Sequence, residues 1–300
     1  MTATLYRLSV LSMDASPGEP SASRASEGVT FANALCAIDG SAESLLAVAK
    51  AGALVGPGGH LTLLIATSFR HDGEIRSPAI QPWRASEIVE GARQAANDAR
   101  VSATVEVDPD GAPGEAILRW SAGHDLLALG AAASASWFGA VFMDSVTAVA
   151  EEELSTSLLV ARGEGAAPRR IVIASDGLDG SDGLVELGAA LAAQHDADVT
   201  LVHVLGPESR AHPHRMEGQA AQLALARPGR SEARIELGTP RNVIVEVAGE
   251  ARADLVVMSS RRLSGLRTVG SVSRPVVAHA PCSVLLVPPE LLAASRAARA

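Results

Sequence analysis

The sequence predicts an α/β protein made of two tandem, doubly wound domains, each built on a five-stranded parallel sheet. Three observations carry that expectation. Short runs rich in Val, Ile and Leu recur without polar alternation, as strands buried on both faces require. Each is followed by a longer Ala- and Leu-rich stretch with helical spacing, so the strands run parallel with helical crossovers. The whole pattern is also written twice, in a chain whose 300 residues exceed the usual size of one domain.

The elements pair off in order. "ALCAIDGSAESLLAVAKAGALV" from Ala34 and "IVIASDGLDGSDGLVELGAALA" from Ile171 each give a strand, an Asp-Gly turn and a helix. "HLTLLIATS" from His60 and "DVTLVHVLG" from Asp198 give the second strands. "ATVEVDPDGAPGEAIL" from Ala103 and "ARIELGTPRNVIVEVA" from Ala233 each give a strand, a Pro/Gly turn and a helix. "HDLLALG" from His124 answers "ADLVVMSS" from Ala253 as the fourth strand. "DSVTAVAEEELSTSLLVAR" from Asp144 lies over "GSVSRPVVAHAPCSVLLVP" from Gly270 without a gap, as a last helix and a fifth strand.

The offset between partners shrinks along the chain, from Asp39 and Asp176 through Asp125 and Asp254 to Ser145 and Ser271. Loop deletions in a duplicated domain behave this way. "GEGAAPRR", Gly163 to Arg170, reads as a linker. The expected organisation is an irregular extension over 1–30, a first domain over 31–163 and a second over 164–300. "LYRLSVLSM" within the extension offers an edge strand. Right-handed crossovers put each ligand crevice at the carboxyl ends of the strands, where strand order reverses. A single undivided sheet, or unlike halves, would contradict the duplication.

Composition narrows the partners. A formal net charge of -9 opposes non-specific binding to nucleic acid or anionic lipid, so neither nucleic acid nor membrane is expected. Aromatic residues make up 3% of the chain, so the core must rest on Ala, Val, Leu and Ile. Cys36 and Cys282 sit beside apolar runs, outside any CxxC or Cys/His cluster, and read as small buried hydrophobes. No apolar stretch reaches the ~18 residues of a membrane span, which points to a cytoplasmic protein.

Strand-then-"DGS" near the start, "LVHV" at the second strand, "DLVVMSS" at the fourth and "GSVSxxVxxHAPCxVLLV" at the end resemble the universal stress protein family. The likeness runs from about Phe31 to Pro289 as two copies, the second matching better, with its closing motif the specific part. It implies a Rossmann-like fold of the adenine nucleotide alpha hydrolase-like kind. It also implies a cytoplasmic stress-response protein that either binds ATP or AMP or binds no nucleotide. The last strands would pair the two copies within the chain, with homodimers as a further state. Ser271 would then cap a helix running to about His279, Pro281 would stop it, and "CSVLLV" would form a covered edge strand.

Nucleotide-binding members resemble a Gly-x2-Gly-x9-Gly-Ser pattern after the fourth strand, whose glycines admit phosphates to backbone N–H groups at a helix start. Carried onto the second copy, the resemblance implies Asp176 beside the nucleoside and Val204 near the base. It implies Met258, Ser259, Arg262 and Gly265 along the loop, and Gly270, Ser271 and Val272 at the helix start. Ser259 and Arg262 stand where the first two glycines belong, and the interval before Gly270 is two residues shorter than the pattern asks. The site is therefore degenerate, with Arg261, Arg262 and Arg267 offered as compensating charges. The first copy keeps Asp39 and Gly130, but Ala133 replaces the second glycine and Asp144 the third. A carboxylate at that helix start repels phosphate, so this copy reads as a scaffold. Its "GAAASASWFGAVF" loop, with Trp137 and Phe138, reads as packing against the partner copy.

Other motifs resolve more simply. "SDGLDGSDG" from Ser175 has Leu178 where calcium spacing needs an oxygen, so it reads as a turn and a helix cap. His212 and His214 lack a third ligand and read as a polar loop; His203 reads as a residue near the crevice mouth. His279 suits a helix C-terminus, and Glu151 to Glu153 a solvated helix face. No GxSxG elbow, Walker lysine loop, HExxH helix or GxGxxG after a strand appears in suitable context, so no catalytic residue and no metal site is assigned. Two alternatives stay open: a slow nucleotide hydrolase or transferase on the same fold, and a ligand-free interaction module.

Overall fold

A computed structural model describes residues 31–56, 58–66, 68–71, 74–78, 82–108, 113–131, 156–178, 180–206, 212–260 and 272–297. The first half runs β1 (Asn33–Ala37), α1 (Ala42–Val55), β2 (His60–Ala66), β3 (Ser68–His71), β4 (Glu74–Pro78), α2 (Pro82–Asp98), β5 (Ser102–Asp108), α3 (Pro113–Ser121), β6 (Leu126–Gly130) and β7 (Ser157–Ala161). The second runs β8 (Arg170–Ser175), α4 (Asp182–His195), β9 (Asp198–Leu205), α5 (Pro213–Ala226), β10 (Ser231–Leu237), α6 (Pro240–Glu250), β11 (Leu255–Ser259), α7 (Ser273–His279), β12 (Ser283–Val287) and α8 (Pro289–Ala297).

Ten strands join in the order β10-β9-β8-β11-β12-β7-β6-β1-β2-β5. The sheet is continuous but not undivided. Read inward from either end, each half shows one permutation: third strand, second, first, fourth, fifth. Pairing is parallel within each half and antiparallel only at the centre of this sheet, where Val284, Leu285 and Leu286 of β12 face Val160, Leu159 and Leu158 of β7. The two last strands thus cover each other's edges, which leaves β5 and β10 as the edges among the described strands of this sheet.

Helices cover both faces. The apolar sides of α1, α2, α4, α5 and α8 close one, around Val48, Ala92, Leu187, Leu223 and Leu292. The apolar sides of α3, α6 and α7 close the other, around Ile117, Ile244 and Val276. Strand residues are therefore apolar in succession: Leu35 and Cys36, or Ile171 and Val172, are fully buried on opposite faces.

The duplication reaches individual hydrogen bonds. Asp125 accepts from the backbone N–H groups of Ala32 and Asn33, at 2.7 and 3.0 Å, where the first half begins. Asp254 accepts from those of Arg169 and Arg170, both at 2.9 Å, where the second begins. One symmetry-related pair has parted. At the seam Ser283 Oγ takes the Arg162 N–H at 3.0 Å and donates to the Arg162 carbonyl at 2.9 Å. Ser157, its counterpart at the start of β7, should meet the residue just after β12, which is Pro288 and has no N–H. The Pro288 carbonyl already accepts from Leu291 and Leu292, and the buried Ser157 hydroxyl has no partner.

Several details depart from the sequence expectation. A short antiparallel hairpin, β3 with β4, is inserted after β2, and α8 extends the second half past β12. Arg170 opens β8 and does not belong to the linker. Val272, not Ser271, is the N-cap residue of α7, and its side chain cannot cap. His212 and His214 do not lie in a loop: His212 is the N-cap of α5, Pro213 supplies its first turn, and His214 pairs with Glu217. The "LYRLSVLSM" strand, Trp137, Phe138, Asp144 and Glu151 to Glu153 lie outside the described residues. Among those described, no helix is long and apolar enough to cross a membrane.

Candidate functional site

In the second half strand order reverses between β8 and β11, which pair side by side. Asp176 follows β8, Val204 is the penultimate residue of β9, Met258 and Ser259 end β11, and Val272 immediately precedes α7. All five belong to the carboxyl ends of the strands or to the loops that leave them. Strand alternation groups the apolar members: Ala174, Val204, Met258 and Val272 share the cluster on the α6–α7 face. Ser259 is partly exposed and close to the end of β12, since the next residue, Ser260, donates its N–H to Val287 at 3.0 Å. Arg262, Gly265, Gly270 and Ser271, with Arg261 and Arg267, lie outside the described residues.

The turn that carries Asp176 is held on the opposite face. Ser175, the last residue of β8, is bound through its hydroxyl and its carbonyl as well as through the β8–β9 ladder. Its Oγ accepts the Gly177 N–H at 3.2 Å and donates to Gln219 Oε1 on α5 at 2.8 Å. Its carbonyl lies 3.1 Å from Nδ1 of His203 on β9. A carbonyl only accepts, so Nδ1 carries the proton and Nε2 is the bare nitrogen. Nε2 is buried and has no partner among the described residues. Burial pulls the His203 pKa below its usual 6.5, against the opposing pull of the Ser175 carbonyl and the Asp176 charge.

Gln219 spans the same network. Its amide donates to Ser181 Oγ at 2.9 Å and to Asp182 Oδ1 at 2.8 Å, where α4 begins. Arg215, one turn earlier on α5, donates to Asp182 Oδ2 at 2.6 Å. Ser181 Oγ turns back to the Leu178 carbonyl at 2.7 Å, and Asp176 Oδ1 accepts the Leu178 N–H at 3.0 Å. The turn is thereby pinned from β9, α4 and α5 together. Ser175, Ser181, His203 and Gln219 are all buried.

Sequence reasoning singled out Asp176 and placed His203 near the crevice, but it passed over Gln219 and read Ser175, Ser181 and Asp182 only as part of a turn and a helix cap. The copies themselves carry a signal for Ser175 and for His203. Where the second half has Ser175 and His203 side by side, the first has Ile38 and Ile65, both buried in the apolar cluster.

In the first half Asp39 Oδ1 accepts both the N–H and the hydroxyl of Ser41, at 2.9 and 2.5 Å. Ser41 Oγ in turn caps α1 by accepting the Ser44 N–H at 3.1 Å. Gly130 has a packing requirement of its own. A Cβ on it would come within 2.5 to 2.7 Å of the Glu43 and Ser44 backbone, so the glycine lets β6 end directly against α1. A cavity of about 330 Å³ lies elsewhere, at the amino ends of β11 and β12, bounded by Arg162, Glu164, Asp254 and Cys282. Burial pushes the Cys282 thiol up to about 11 and that of Cys36 to about 12, which keeps both protonated near neutral pH.

The model of the universal stress protein family matches the chain twice, over residues 30–162 and 168–288. A universal stress protein of Thermus aquaticus is 33% identical over 134 residues, which are 40% of this chain and 98% of that one. Among solved structures, a universal stress protein from Archaeoglobus fulgidus DSM 4304 superimposes with a TM-score of 0.65 at 20% identity, covering 85% of this chain and 96% of that one. A functionally unknown protein from Pseudomonas aeruginosa PAO1 gives 0.61 at 15% identity, covering 88% and 95%. At such identities the structural likeness is one of fold.

Proposed function

The chain belongs to the universal stress protein family, as two tandem copies of its domain, and from that premise we propose that only its second half binds a ligand, ATP or AMP, without catalysing a reaction on it. In this reading residues 31–163 form a scaffold domain, 164–300 the binding domain and 1–30 an extension. The protein acts in the cytoplasm through binding and through contacts with other proteins or a second copy of itself. The observation that carries the reading is Asp176, set at the reversal of strand order and pinned by three surrounding elements.

Asp176 would meet the nucleoside. Val204, Met258 and Val272 supply an apolar wall for the base, and Ser259, Arg262, Gly265, Gly270 and Ser271 belong to the segment that would wrap the phosphates. Ser259 and Arg262 in place of glycines make this a degenerate site, in which arginine charge replaces backbone approach. In the first half the α1 N-terminus is capped by Ser41, and Asp144 would repel a phosphate by about 1 kcal/mol per unit charge at ~4 Å even in bulk water.

Titration calorimetry with ATP and AMP tests this. Saturable heat is expected from the wild-type chain, unchanged in Asp39→Ala and lost in Asp176→Ala and Gly270→Asp, with no turnover of nucleotide. Flat heat at millimolar nucleotide would remove the binding reading, and hydrolysis abolished by Asp176→Ala would replace it with an enzyme.

A further inference from the structure

Resting on the nucleotide reading, we propose that Ser175, His203 and Gln219 are positioning residues that hold the Asp176 turn as a nucleoside requires, and that a second proton on His203 releases it. Their placement shows a purpose beyond folding. The same strand positions in the first half are filled by Ile38 and Ile65, exposed to 2% and 0%. The buried residues of α2 on that face, Ile88, Ala92 and Ala96, are apolar as well. This architecture therefore closes around a purely aliphatic set. The second half instead buries a hydroxyl, an amide and an imidazole, and tolerates one imidazole nitrogen without a partner, an arrangement that costs stability. What these groups achieve together is the fixing of Ser175, whose neighbour is Asp176.

The switch follows from the tautomer. With Nδ1–H donating to the Ser175 carbonyl, a second proton must go to Nε2, which has no acceptor among the described residues. The charged groups on the turn and on the helices packed around it are Asp176, then Asp182 and Glu186 on α4, then Arg215 and Glu217 on α5. Asp182 is tied to Arg215 and Gln219, and Glu217 is exposed and pairs with His214. Asp176 is the charge that attracts an imidazolium at His203. The Ser175 carbonyl and Asp176 both favour the charged ring, but burial and the missing acceptor at Nε2 oppose it. A second proton therefore makes the ring shift to find a partner for Nε2, the turn it holds loosens, and affinity falls as pH falls.

The test replaces the set with its aliphatic counterpart, Ser175→Ile/His203→Ile/Gln219→Leu, in the full chain. We expect a melting temperature equal to or above that of the wild type. Amide exchange at Gly177 and Leu178 should be at least roughly tenfold faster, with β8 and β9 still protected, and AMP affinity at least roughly tenfold weaker. Wild-type affinity should weaken from about pH 7.5 to about pH 5.5, and that dependence should vanish in His203→Ile. Unchanged exchange at the two amides, unchanged affinity in the triple variant, or an NMR spectrum placing the His203 proton on Nε2 would each overturn the proposal. If the triple variant does not fold, His203→Ile alone is read at the same amides. If the wild type binds no nucleotide, the functional reading fails by itself, while the exchange and tautomer measurements still decide whether these residues hold the turn.

Discussion

The two halves share a strand order and a clamp at the start of each first strand, yet they secure their Asp-Gly turns by opposite means. In the first half, Asp39, Ser41 and Ser44 bond to one another, and α1 is sealed by residues adjacent in sequence. In the second, the turn is also held by His203 on β9, Gln219 on α5 and Ser181 at the start of α4. A locally capped turn needs nothing from the tertiary structure and is indifferent to a ligand. A turn pinned from several sides costs buried polar groups and gains a fixed orientation. The difference teaches that divergence after duplication has gone furthest at the crevice and least at the opposite end of the sheet.

The sharpest way to break this comparison is at Gly130 and its counterpart Ser259. Gly130→Ala drives a Cβ into the α1 backbone and should cost about 3 kcal/mol, read as a shift in urea midpoint. Ser259→Gly should cost less than about 1 kcal/mol, because that end of β11 already accommodates a side chain. Equal losses would mean that the two crevices close alike.

Asp125 and Asp254 sharpen it from the conserved side. Each accepts two backbone N–H groups, so Asp125→Ala and Asp254→Ala should each cost about 2 kcal/mol. A loss at one and none at the other would deny the equivalence of the halves. At the seam, Ser283→Ala should cost about 1 kcal/mol, whereas Ser157→Ala removes a buried hydroxyl without a partner and should be neutral or stabilising.

The smallest effect is a pH dependence confined to the second half. His203 has its folded pKa pulled below 6.5, so between those two values the unfolded chain binds more protons. Stability should be full above about pH 6.5 and decline as pH falls through that window. His203→Ile should flatten that part of the stability profile, measured by urea unfolding at several pH values.

Sequence alone determined the repeat, the fold class and most of the element order, because these follow from which residues must leave water and at what spacing. "IVIA", "LVHV" and "DLVVMSS" could only be buried parallel strands, and Asp176 could be placed at a strand end by counting along them. It missed the β3–β4 hairpin and α8, whose residues carry no strong period. It matched Gly130 to a glycine pattern without seeing that the residue also lets β6 meet α1, a helix far away in sequence but adjacent in the fold. The pairing of the last strands was expected only from the family resemblance, and tertiary structure alone decided that Ser157 is stranded opposite a proline and that Ser175, His203 and Gln219 meet. Hydrophobic burial depends on a residue and its period and is written locally. A hydrogen bond depends on a few tenths of an ångström between groups tens of residues apart, and only the packed chain fixes that.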